Sequence, residues 1–293
     1  MVAIGGAAAA AGTPTAETST AVSSNWAGYV AQPGQAAGAR FASVSGSWTV
    51  PSVICVRGHA SYSAVWVGLG GYQETASSLE QVGVDADCSH GGHPSYTSWY
   101  ELLPAAPISL KLGIHPGDQI AASVTAKGHR VTLRLRNLTS SKRFNTSRRV
   151  RRIDLSSAEW IVEAPSECTS SEACSTLALS NFGDVLFTNA SATARGHTGA
   201  ISDPLWSATA LELRQSARPH LEVPAAQTPA LEVLATPTSP SLSDGSFAVG
   251  WREEAAQSEE PLAAVQREVG PADVKRARAA RHREEPVGAP NKR

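Results

Sequence analysis

Charge is scarce in this chain of 293 residues: 17% are Asp, Glu, Lys or Arg, against roughly 25% in ordinary soluble proteins. Only three lysines, Lys111, Lys127 and Lys142, precede Arg252, and the formal net charge is −1. A body without a basic surplus gives no reason to expect a nucleic-acid partner, and low lysine suits an exported protein. No run of about 18 apolar residues occurs, so no transmembrane helix or membrane partner is expected. The first Lys or Arg is Arg40. The small, apolar N-terminus "MVAIGGAAAAAGTPTAETST" therefore lacks the basic start of a complete export signal, and residues 1–22 read as a disordered leader or the remnant of one. Long amphipathic helical periods are missing from Ser23 onward, as is the GxSxG elbow of serine hydrolases.

The four cysteines include no CxxC pair and no interleaved histidine pattern, which argues against a zinc site. No other metal site is expected. Disulfides fit better. Cys168 and Cys174 flank the polar turn "CTSSEAC" and can close a short loop, leaving Cys55 to pair with Cys88. Two bridges imply an oxidising compartment, and the expected location is outside the cell.

What is present, from Ser23 on, is a succession of short alternating runs punctuated by Gly, Pro, Asn and Ser. "HRVTLRLRN" is the plainest, with Val131, Leu133 and Leu135 on one face and Thr132, Arg134 and Arg136 on the other. Ten or more such strands predict an all-β fold, a two-sheet antiparallel β-sandwich, in one domain spanning 23–252. The turn "SDG" followed by Phe247, Val249 and Trp251 on one face keeps the domain going to about Arg252. Residues 253–293 are rich in Ala, Glu, Arg and Pro and read as a disordered charged tail. The basic stretch holding Lys142, Arg143, Arg148, Arg149, Arg151 and Arg152 reads as a solvated hairpin.

Two strands carry chemistry. In "SAEWIVE" alternation puts Ala158, Trp160 and Val162 on one face and Glu159, Ile161 and Glu163 on the other. In "SSLEQVGVDADC" it puts Glu80, Val82 and Val84 on one side and Gln81, Gly83 and Asp85 on the other. If the valines face the core, Gln81 and Asp85 do not.

Together these residues resemble the glutamic peptidases of the eqolisin family (peptidase family G1), and more specifically its bacterial members. The likeness runs in order through "SSNWAGYV" (23–30), "VSGSWTVPSV" (44–53), "AVWVGLGGY" (64–72), "LEQVGVDADC" (79–88), "SWYELLPAAPI" (98–108), "SAEWIVEAPS" (157–166), "LSNFGDVLFTNASAT" (179–193) and "DGSFAVGWR" (244–252). It implies a concanavalin A-like jelly roll with a substrate groove on one sheet, and a catalytic dyad of Gln81 and Glu159. By the same likeness Trp66 and Trp99 line the groove, with Tyr100 and Glu101 close by.

The activity implied is acid-acting endopeptidase cleavage of polypeptides by a monomer that needs no cofactor, metal or covalent intermediate. Glu159 would take a proton from water and pass it to the leaving amine; Gln81 would bind the oxyanion without titrating.

Two departures stand out: relatives commonly read "WVGIDG" where this chain has "WVGLGG", so Gly70 replaces an acid that supports the site, and residues 214–231 fit poorly. Two other functions fit a jelly roll: a carbohydrate-binding or glycan-cleaving protein using Glu159 with Glu163 or Glu101, and an inactive peptide-binding relative. Asn137, Asn145 and Asn189 stand in Asn-x-Ser/Thr sequons.

Overall fold

The computed structural model describes residues 18–34, 39–73, 76–168, 174–216, 231–241 and 243–252. The expected charged tail and the first seventeen residues of the leader lie outside these. Among the described residues the fold is all β. In chain order the strands are β1 (Thr18–Ser23), β2 (Trp26–Pro33), β3 (Phe41–Thr49), β4 (Ala64–Leu69), β5 (Glu80–Cys88), β6 (Pro94–Leu102), β7 (Ile108–Leu110), β8 (Gln119–Lys127) and β9 (Arg130–Asn137). They continue with β10 (Arg143–Arg149), β11 (Ala158–Glu163), β12 (Ser166–Cys168), β13 (Cys174–Thr176), β14 (Asp184–Ala194), β15 (His197–Ala200), β16 (Trp206–Ser216), β17 (Leu231–Pro237) and β18 (Phe247–Trp251).

One hydrogen-bonded path runs β10-β9-β8-β3-β14-β18-β17-β16-β2-β11-β4-β5-β6-β7. It folds back on itself: β4 and β5 pack over β8, β5 also over β9, and β11 over β3 and β14. That is the expected two-layer sandwich. Between the layers sit Val65, Val67, Val82, Val84, Trp160 and Val162 with Val124, Leu133, Phe187 and Phe247. Alternation does this sorting, since each strand of β-branched or aromatic residues must bury one face to offset its ordering entropy. Trp160 enters the core with its indole N–H satisfied, donating to the Ser45 carbonyl at 2.8 Å.

Both disulfides form as expected, Cys55 with Cys88 and Cys168 with Cys174. Cys88 closes β5, the strand that carries Gln81. One edge differs from expectation. Thr18–Ser23 pairs in parallel with β16, so ordered structure begins inside the stretch read as a leader. The basic stretch is the solvated hairpin expected: its residues 143–149 form β10, antiparallel to β9, with Arg143, Arg148 and Arg149 exposed. Asn137 is buried, its amide donating to Asp118 at 2.7 Å and to the Gly113 carbonyl, so that sequon is closed to glycosylation. Asn145 and Asn189 are exposed.

Candidate functional site

Register builds the site. Glu159 lies opposite Gly68, Gly68 opposite Gln81, and Gln81 opposite Glu101. Directly paired residues of antiparallel strands project from the same face. A single row therefore crosses β11, β4, β5 and β6 on the face turned away from the main core. Gly68 contributes no side chain to it. Glu159 and Gln81, two strand spacings or roughly 10 Å apart at the backbone, share a floor on which residue 68 itself raises no side chain, the space above it being taken by Trp66 and Leu79. A Cβ on residue 68 would come 2.9 Å from Trp66 Cζ3, 3.0 Å from Leu79 Cδ1 and 3.3 Å from the Gln81 Cβ.

The Gln81 amide is aimed by a neighbour. Its Nε2 donates to Glu101 Oε2 at 2.6 Å, and a carboxylate can only accept here, so the amide nitrogen rather than the oxygen must face it. One N–H is used and the second remains. Gln81 Oε1 is buried without a hydrogen-bond partner.

In the next row on the same face, Ile161, Trp66, Gly83 and Trp99 lie side by side, so the two tryptophans flank a glycine. Trp66 donates its indole N–H to Glu163 Oε2 at 2.8 Å and meets Trp26 edge to face, ring centres 5.1 Å apart. Tyr100 departs from the expected groove lining. Paired with Val82, it faces the main core and stacks on Phe144 with ring centres 5.5 Å apart. Alternation forbids it the face that Trp99 and Glu101 occupy.

Glu159 is fully buried. Burial raises its pKa well above the usual carboxylate value; Asp154 and Glu80 push the same way by charge, while the Ser157 hydroxyl opposes them by favouring the ionised form. Neither Glu159 oxygen accepts a hydrogen bond of standard geometry. Glu80 is a functional candidate that sequence reasoning passed over as part of a core face. It opens β5 on the valine side, is 1% exposed, and burial together with the nearby Asp154 pushes its pKa up to about 8. An acid heading a run of core valines was the signal available in "LEQVGVD".

The face is covered. A second apolar cluster of Trp26, Val30, Trp66, Trp99 and Ile161 also takes in Tyr72 and Leu79 from the β4–β5 connection. Tyr72 hydrogen-bonds Thr209, and Thr209 lies opposite Val30, itself opposite Glu159. The connection is thus tied down on the far side of the row. Among the described residues no group of three or more His, Cys, Asp or Glu is placed to hold a metal ion, and none forms a helix long and apolar enough to cross a membrane.

The Peptidase A4 family model matches residues 24–228. The chain belongs to that family, the eqolisin glutamic peptidases. It is 32% identical over 221 residues to aspergillopepsin-2 of Aspergillus niger, a span of 68% of this chain and 73% of that protein. The structure of scytalido-glutamic peptidase with a peptide-based transition-state analogue superposes with a TM-score of 0.60 at 25% identity, covering 78% of this chain and 98% of that one. An eqolisin in complex with the tripeptide Ala-Ile-His gives a TM-score of 0.58 at 24% identity with the same coverage, a likeness of fold. The chain is thus a β-sandwich glutamic endopeptidase.

Proposed function

We propose that the chain is a secreted endopeptidase whose dyad is Glu159 and Gln81, acting on polypeptides in the acidic to weakly acidic range. The observation that carries this is the row in which Gly68 raises no side chain of its own between Glu159 and Gln81. A peptide carbonyl and a water can enter there once the Trp66 ring and Leu79, which now lie over Gly68, move aside. Glu159, ionised, takes a proton from the water as its oxygen attacks the carbonyl carbon. The carbonyl oxygen becomes an oxyanion and accepts the free N–H of Gln81, a donor worth typically 100- to 1000-fold in rate. Glu159 then gives its proton to the amide nitrogen, the C–N bond breaks, and an acid and an amine leave. Glu101 keeps the amide turned the right way.

An ordinary glutamate, with a pKa of about 4.3, becomes a base just above that pH. Burial moves the ionisation of Glu159 upward, so the acid limb of activity is expected above that range. Glu101 and Glu163, the carboxylates a glycan-cleaving reading would draw on, are engaged by Gln81 and Trp66. The test is hydrolysis of a denatured protein over roughly pH 2 to 7 by the wild type, Glu159→Gln and Gln81→Ala. Activity should vanish in the first variant and fall by about two orders of magnitude or more in the second. Cleavage surviving both overturns the assignment.

A further inference from the structure

Gly70 ends β4 in a left-handed backbone conformation, with φ 80°, and the space its missing side chain leaves is occupied. A Cβ there would lie 2.5 Å from the Asp154 carbonyl oxygen and 2.6 Å from the Asp154 Cβ. The connection between β10 and β11 is strapped onto this strand end. Gly70 N–H donates to the Ser157 carbonyl at 3.1 Å, and Gly71 N–H donates to Asp154 Oδ2 at 3.1 Å. Ser156 N–H donates to Asp154 Oδ1 at 2.9 Å. Both carboxylate oxygens are held by backbone, so the charge is fixed in place.

We propose that Asp154 is a positioning residue for Glu159: a carboxylate that a separate segment brings to the bare end of β4, fixed by backbone hydrogen bonds on the strand that runs beside Glu159. This rests on Glu159 being the working acid and base. Other groups near Glu159 are accounted for. Across β2 it meets Val30 and across β4 Gly68. β5 brings Gln81 and Glu80, and Glu101 of β6 is bonded to Gln81. Glu163, four residues along β11, is bonded to Trp66. From the β4–β5 connection comes Tyr72, whose phenol burial keeps neutral. Arg151 and Arg152 are exposed. Asp154 and Glu80 are the two acids that bear on Glu159 by charge, and Glu80 ionises only near pH 8.

Asp154 differs from Glu80 in its access to water. It borders a cavity of about 170 Å³ lined also by Gln73, Ser77, Ser78 and Arg152. Solvent therefore reaches Asp154, which is only half-buried, whereas Glu80 and Glu159 are closed off from it.

The experiment is a direct titration of Glu159 in the full chain by carbon NMR of labelled glutamate carboxyls, the signal identified by its loss in Glu159→Gln. Asp154→Asn, which keeps the size and one acceptor, should lower the Glu159 midpoint by roughly one unit, with the acid limb of kcat/KM falling by the same amount. Asp154→Ser, also neutral and able to accept from Ser156, should repeat the shift and serves if the first variant does not fold. An unchanged midpoint in a folded neutral variant overturns the proposal. A midpoint that moves while the activity limb stays put overturns instead the assignment of Glu159 as the working base.

Discussion

Gln81 donates to Glu101 across the β5–β6 ladder at 2.6 Å, and that bond decides which end of a symmetric-looking amide faces the reaction. Without an acceptor-only neighbour, the Gln81 amide could turn its oxygen toward the oxyanion, where it would repel. Glu101→Gln offers both a donor and an acceptor, so it no longer distinguishes the two orientations. The expected result is a fall in kcat of about tenfold or more, with KM little changed, since only the transition state carries the oxyanion charge. Steady-state kinetics on a peptide substrate checks it; a pure KM effect would assign Glu101 to substrate binding.

Gly68 predicts a different kind of loss. A methyl at this position meets Trp66, Leu79 and the Gln81 Cβ at 2.9 to 3.3 Å, so neighbours must shift, at a cost of about 1 to 3 kcal/mol. Gly68→Ala should remain folded, with a lowered denaturation midpoint, and lose most of its activity because Gln81 is displaced. Activity at the wild-type level in that variant would mean that the gap between Glu159 and Gln81 is not where the carbonyl sits.

The disulfides should differ in worth. Cys55–Cys88 spans 33 residues and Cys168–Cys174 spans 6, so chain entropy assigns about 4 and about 2 kcal/mol respectively. Replacing both members of the first pair by serine should lower the denaturation midpoint more than replacing the second pair. Because Cys88 closes β5, activity should also fall first in the Cys55–Cys88 variant as temperature rises.

Period-two alternation made much of this legible. It put Glu159 and Gln81 off the core side of their strands, and the structure agrees. It also had the information to separate Tyr100 from Trp99 and Glu101, which a grouping by nearness in sequence overrode. The facing of Glu159 and Gln81 across Gly68 was not readable, because register between β11 and β4 joins segments some ninety residues apart and leaves no local mark. β10 was legible as an arm of a solvated hairpin but not in its strand bounds: as an edge strand it carries arginines that discourage further pairing, and only Phe144 and Thr146 turn inward. β1 pairs in parallel with a strand nearly two hundred residues away, and its small polar residues resemble a leader.

Glu80 gives the sharpest dependence on pH. In the unfolded chain it ionises near its ordinary value of 4.5, but in the folded protein only near 8. Below pH 4.5 it is neutral in both states, so its contribution to stability is fully present. As pH rises toward 8 the unfolded chain gains from ionising while the folded one does not, and that contribution is lost. Glu80→Gln removes the titration. Relative to wild type, the variant should therefore gain stability between pH 4 and pH 8, by up to roughly 5 kcal/mol, whatever constant offset the amide itself introduces. Urea denaturation at the two pH values measures the difference. An equal offset at both would mean that Glu80 ionises normally in the folded protein and that the strand end is wetter than the structure places it.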